Sequence, residues 1–206
     1  MSNPDHANLR KTLRARRRAL PAARQRANSI TAARALIHWG LFLRFDSLAL
    51  YVANDGELDP EPLACAALRC SKSLFLPVLT AGREKQLSFA PYERDSIMVS
   101  NRFGIAEPLV EKRALRKATD LDVILLPLVG FDLHGNRLGM GGGYYDRTLA
   151  FLRQRKLWHR PLLIGLAHHC QHVATISPRL WDIPLDFVAS ERGVQRMDCE
   201  GRAARI

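Results

Sequence analysis

The chain has 206 residues, is 47% hydrophobic and carries a formal net charge of +11 at pH 7. These values are ordinary for one globular domain over residues 1–206 that buries most of its apolar surface. No apolar run approaches the roughly 20 residues a membrane helix needs, no signal-peptide succession opens the chain, and the four cysteines form no Cys-x-x-Cys pair, so a cytoplasmic protein with reduced thiols is expected.

The charge is uneven. Residues 1–26 hold eight Lys or Arg and one acid, against 23 basic and 19 acidic residues in the rest. Such a run reads either as a solvated helix face or as an arm that neutralises nucleic-acid phosphates, and the solvated face is the commoner outcome. Residues 5–20 and 22–39 read as helices broken at Pro21, with Leu9, Leu13 and Leu20 at partly helical spacing.

The middle of the chain alternates strands and helices. Residues 47–53 form a strand, 60–70 a helix, and 74–79 and 87–92 two strands. Residues 93–117 are polar and irregular, with short elements at most. Residues 121–129 form a buried strand without polar alternation, which suits a parallel sheet. A helix is expected over 146–154, an apolar strand over 161–167 and a short strand over 186–190. The alternation predicts a three-layer α/β/α sandwich with a largely parallel sheet.

The richest segment follows the buried strand. Residues 135–147 read G-N-R-L-G-M-G-G-G-Y-Y-D-R and hold five of the thirteen glycines. A buried strand, a glycine loop and a helix start make a natural anion site. Glycine admits close approach of backbone N–H groups, and Arg137 can add a full charge. The loop is neither a P-loop, since no Gly-Lys pair occurs, nor the dinucleotide fingerprint, since Tyr144 stands where its third glycine belongs. Other clusters are weaker. His168, His169 and His172 have a spacing that would put two imidazoles on one helical face, yet no His-Glu-x-x-His motif supports a zinc site. Asp146 at a helix start can simply face the helix dipole.

The run R-L-G-M-G-G-G-Y-Y-D-R, preceded by L-L-P-L-V-G-F-D-L-H-G-N, resembles the signature of the 5-formyltetrahydrofolate cyclo-ligase family, also called methenyltetrahydrofolate synthetases. The resemblance continues in residues 9–11, in Y-V-A-N-D-G-E-L-D at 51–59, in F-G-I-A-E-P at 103–108 and in W-D-I-P-L-D at 181–186. It implies a fold similar to the sugar-phosphate isomerase and CoA-transferase group. It also implies ATP- and Mg²⁺-dependent closure of 5-formyltetrahydrofolate to 5,10-methenyltetrahydrofolate, with release of ADP and phosphate. A monomer acting on small molecules is expected, with no membrane partner and with nucleic acid disfavoured.

The resemblance also implies roles. The ATP-binding candidates are His6, Arg10, Arg137, Leu138, Gly139, Met140, Gly141, Gly142, Gly143, Tyr144 and Tyr145, with Arg137 and Tyr145 as the catalytic pair. Val52, Glu57 and Tyr144 match the folate pocket, and Asp146 and Asp182 match Mg²⁺ ligands. His6 stands where the family usually has a Lys, and either it or nearby Lys11 replaces that contact. The alternatives are a phosphate-handling isomerase or transferase of the same fold, and a nucleic-acid-binding protein using the basic N-terminus.

Overall fold

The computed structural model describes residues 4–40, 42–80, 85–153 and 160–198. A seven-stranded sheet runs through it. In chain order the elements are α1 (Pro4–Arg18), α2 (Ala22–His38), β1 (Ser47–Ala49), α3 (Glu61–Arg69), β2 (Ser73–Leu79) and β3 (Leu87–Tyr92). A hairpin of β4 (Met98–Ser100) and β5 (Ala106–Pro108) follows, then β6 (Val123–Pro127) and the small pair β7 (Gly130–Phe131) and β8 (Arg137–Leu138). The remainder is α4 (Tyr144–Thr148), β9 (Leu162–Leu166), β10 (Phe187–Ser190) and β11 (Gly193–Arg196).

The strand order is β11-β10-β9-β6-β1-β2-β3. The five inner strands are parallel, and the two edges, β3 and β11, are antiparallel. The inner strands alternate their side chains between two apolar clusters. Val123 and Leu125 of β6 face one, and Ile124 and Leu126 face the other. Leu162 and Ile164 of β9 likewise oppose Leu163. A strand covered on both faces needs apolar residues at every position, hence the unbroken apolar run of β6.

The two covering layers differ. The helices α2 and α3 pack against each other on one face, with Ala32, Leu36, Leu63 and Ala67 buried there. The other face is covered by α4, a short 3₁₀ turn at Ala150–Arg153 and irregular chain carrying Leu121, Ile183 and Leu185. The expected helix over 146–154 is thus shorter and begins earlier. It starts at Tyr144, just after Gly143 at φ +67°, and ends at Thr148. The last residue of the expectation, Gln154, lies outside the described residues.

Three further differences have local causes. The strand expected over 47–53 ends at Ala49, because the chain leaves the sheet there, although Leu50 still donates to the Phe75 carbonyl at 2.9 Å. The run 121–129 is a strand only to Pro127, beyond which the chain turns into the β7–β8 pair. The edge strand β11 was not expected, because its exposed polar residues lack a strand pattern.

The order of strands sets the position of the site. From β1 the chain moves outward to β2 and β3, then returns to build β6, β9 and β10 on the other side of β1. The carboxyl ends of β1 and β6 therefore diverge at a topological switch point, where parallel α/β sheets leave a crevice for ligands. Residues 50–59 leave β1 there, and residues 128–147 leave β6.

Candidate functional site

Four segments meet at this crevice. The loop after β6 contributes the glycines. Gly141 sits at φ +95°, a conformation that side-chain-bearing residues rarely adopt. Arg10 of α1 reaches across and donates from Nε to the Gly139 carbonyl at 2.8 Å. The same guanidinium lies 3.9 Å from the point a Gly141 Cβ would occupy. Burial, followed by the charge of Arg179, pulls the Arg10 pKa down, while Asp182 opposes this. Arg10, Arg179 and Asp182 therefore share one electrostatic neighbourhood beside the loop.

Arg137 is nearly enclosed, with its side chain 6% exposed. It pairs with Asp146 and donates to the carbonyl of Ile183. The Ile183 N–H in turn approaches Asp146 Oδ1 at 3.5 Å. This arrangement brings Asp146 of α4 beside the segment that holds Asp182. One Asp182 oxygen accepts the Arg179 N–H at 2.9 Å. Two carboxylates are hard oxygen donors, and Mg²⁺ is commonly held by one or two of them together with substrate phosphates and water. Among the described residues no group of three His, Cys, Asp or Glu that could hold a metal ion is found. The helix-dipole account of Asp146 is weak, because α4 has five residues and Asp146 already has a guanidinium partner.

Two of the folate candidates, Val52 and Glu57, lie on the segment after β1. Val52 packs against the larger core cluster. Glu57 is held in a turn where its Oε2 accepts the Asn54 N–H at 3.2 Å, and its Oε1 lies 3.5 Å from Arg17 Nη2. Burial, the largest influence, raises the Glu57 pKa, while the charge of Arg17 opposes it. Tyr145 stands between the two groups of candidates, coupled electrostatically to Glu57 and Arg137. Burial and the Glu57 charge push its phenol upward, so it stays protonated. Tyr144 bonds to Arg102 through its hydroxyl and packs edge-on against Phe103 at 6.0 Å.

The two N-terminal candidates are placed differently. His6 lies inside, on the helix face shared with Leu9 and Leu13, and its Nε2 has no hydrogen-bond partner. Lys11 points to solvent. Arg14, Arg17 and Arg18 all bind Asp55. Much of the basic run is thus engaged internally rather than arrayed for a nucleic-acid backbone. The histidine spacing does not produce a helical face. His168 is extended, its Nδ1 3.0 Å from Asn28 Nδ2, and His169 stacks on His172 with ring centroids 5.7 Å apart.

Sequence reasoning missed Arg17, Arg102 and Arg179. The turn at 103–108 marked the neighbourhood of Arg102, but nothing in its spacing linked it to Tyr144. A cavity of about 600 Å³ opens elsewhere, at the start of β2 beside Lys72, Arg94 and Arg116, and contains none of the candidates. Among the described residues no helix is long and apolar enough to cross a membrane.

Comparison with known proteins bears on the fold and the family. The 5-formyltetrahydrofolate cyclo-ligase family model matches residues 2–191. The 5-formyltetrahydrofolate cyclo-ligase of Escherichia coli K12 is 38% identical over 178 residues, covering 86% of this chain and 96% of that protein. The Haemophilus influenzae enzyme of the same name is 39% identical over 139 residues, covering 68% and 72%. The solved 5,10-methenyltetrahydrofolate synthetase of Aquifex aeolicus superimposes with a TM-score of 0.78 at 31% identity, covering 96% of this chain and 95% of that one. The chain is therefore a ligase of the 5-formyltetrahydrofolate cyclo-ligase family.

Proposed function

We propose that the protein closes 5-formyltetrahydrofolate to 5,10-methenyltetrahydrofolate at the expense of ATP, with Mg²⁺, releasing ADP and phosphate. The observation that carries this reading is the convergence at one switch point of an arginine-backed glycine loop, a carboxylate pair and a buried acid. The first two suit a metal-bound polyphosphate, and the third suits the N–H groups of a pterin.

The chemistry asks little covalent work of the protein. The formyl oxygen attacks the γ-phosphorus and ADP leaves. N10 then attacks the activated formyl carbon and gives up its proton, and phosphate departs as the ring closes. The substrate supplies both nucleophiles, so positioning and charge stabilisation dominate. Arg10 and the loop at 139–143 hold the phosphates, with His6 beside Arg10 on the inward face of α1. Arg137 faces the charge that develops during transfer. Tyr145, kept as a phenol, offers an O–H donor between phosphate and pterin. Val52 and Tyr144 wall the folate, and Glu57 accepts its N–H groups. A Mg²⁺ ion held by Asp146 and Asp182 would offset phosphate charge. The protein acts as a single-domain cytoplasmic monomer.

The test mixes protein, 5-formyltetrahydrofolate and Mg-ATP and follows the near-ultraviolet absorbance of the methenyl product. Product is expected only when nucleotide and divalent metal are both present. Formation without ATP, or none while an established family enzyme works alongside, overturns the reading.

A further inference from the structure

The side chain of Arg17 is fully enclosed, at 0% exposure. A guanidinium cannot shed its charge to suit such a place, so it must be paired. Its partners come from both limbs of the switch point. Nη1 donates to the Leu128 carbonyl at 2.9 Å, just past β6. Nε donates to the Asp55 carbonyl at 2.9 Å and Nη2 to Asp55 Oδ2 at 3.0 Å, on the segment after β1. Nη2 also lies 3.5 Å from Glu57 Oε1. One side chain thus ties α1, the exit of β6 and the turn that presents Glu57.

Burial is the largest influence on Glu57 and favours its neutral form, and the neighbouring charges act against or with it. Arg17 and Arg14 of α1 favour the anion, and Asp55 in the same turn disfavours it. Tyr51 and Tyr145 complete the surroundings. Asp55 is shared with Arg14 and Arg18, so the cluster of three guanidiniums and two carboxylates keeps one positive charge in excess. A buried carboxyl beside another acid would otherwise take up a proton and lose its capacity to accept two N–H bonds.

We propose that Arg17 is a positioning residue of the folate site, acting through Glu57: it fixes the turn at 54–57 against the exit of β6 and keeps the Glu57 carboxyl anionic for the pterin N–H groups. This rests on the reading of Glu57 as the folate acid. No contact between Arg17 and substrate is required.

The test measures affinity for 5-formyltetrahydrofolate without nucleotide by calorimetry, from pH 5 to 8, in the wild type, Arg17→Met, Arg17→Lys and Glu57→Gln. Protonation of Glu57 weakens wild-type binding at the acid end. In Arg17→Met that acid limb moves to higher pH, and affinity at pH 7 falls on the order of tenfold or more. Arg17→Lys keeps the charge but cannot reach three directions. Its acid limb stays near that of the wild type while affinity falls and the folate KM rises, with the ATP KM unchanged. A purely structural arginine would lower affinity equally at all pH values, and that result in Arg17→Met overturns the proposal. Should Arg17→Met not fold, wild-type affinity in Arg17→Lys overturns it alone. Glu57→Gln tells the two readings apart. Unchanged folate affinity there defeats the role of Glu57 itself. Weakened, pH-insensitive binding there, together with an unmoved limb in Arg17→Met, defeats only the role of Arg17.

Discussion

At the scale of single residues, the acids of the proposed site stand in two different places. Asp146 faces Arg137 and the segment of Asp182, whereas Glu57 faces the turn after β1. Asp146→Asn keeps size and most hydrogen bonding but removes charge, so a higher Mg²⁺ concentration should be needed for activity. Folate affinity without nucleotide should stay nearly unchanged. Glu57→Gln should show the opposite pattern, with folate binding weakened and ATP binding retained. Magnesium titrations of activity and folate calorimetry in both variants check the contrast, and an unaltered magnesium titration in Asp146→Asn removes that residue from the metal site. The loop carries a sharper backbone constraint. Gly141 at φ +95° adopts a backbone conformation that strains a β-branched residue by about 1–3 kcal/mol. A Val there also intrudes toward Arg10. Gly141→Val should therefore lose ATP-dependent turnover, and normal turnover would argue against phosphate contact at this position.

At the scale of elements, α1 does more than present charge. Leu13 is fully buried with Val129, Leu138 and Ile176, which anchors the helix across the loop that follows β6. Arg10, one turn earlier, bonds to Gly139, and Arg17, one turn later, bonds to Asp55 and Leu128. The helix therefore braces both limbs of the crevice from one apolar anchor. Truncation by Leu13→Ala should cost about 2–5 kcal/mol through lost transfer energy and a residual cavity. It should also raise the KM for ATP, because Arg10 depends on the same docking. Urea denaturation and steady-state kinetics measure the two effects. A stability loss with an unchanged ATP KM would show that Arg10 is held independently of Leu13.

For the whole molecule, carboxylates fasten distant parts of the chain. Burial would raise the pKa of Asp55, but hydrogen bonds from Arg14, Arg18 and Arg17 outweigh it and the value falls. Asp122 behaves alike. Burial is opposed by the N–H groups of Asp46 and Ser47, then by Arg160, and the pKa is again lowered. A depressed folded-state pKa contributes stability that is fully present above the unfolded value of about 3.9 and is lost as pH falls through the folded value. Thermal melting should thus hold steady from pH 7 to 5 with respect to these groups and fall steeply below pH about 4. Asp55→Asn should melt lower at neutral pH and lose less on acidification. A parallel fall in both proteins would mean that the arginine cluster contributes nothing to acid sensitivity.

Much of this is legible in the sequence. The apolar run of β6 needed burial on both faces, and the glycines after it needed a backbone that approaches something closely. The family signature attached roles to Arg137, Asp146 and Glu57. Local pattern read less well where tertiary contacts overrode it. The helix over 146–154 gave way to a five-residue helix and a 3₁₀ turn, and His168 became an extended, buried residue bonded to Asn28. The adjacency of β1 and β6 was beyond any periodicity, because strand order is decided by which apolar faces pack together, not by spacing along the chain. That adjacency is what brings Glu57 within electrostatic range of Tyr145 and gives Arg17 partners 38 and 111 residues away. The sequence by itself determined the chemistry of the loop and the identity of its charges. Only the tertiary structure decided which of those charges face each other, since a buried arginine takes its partners from whatever chain the sheet delivers to it.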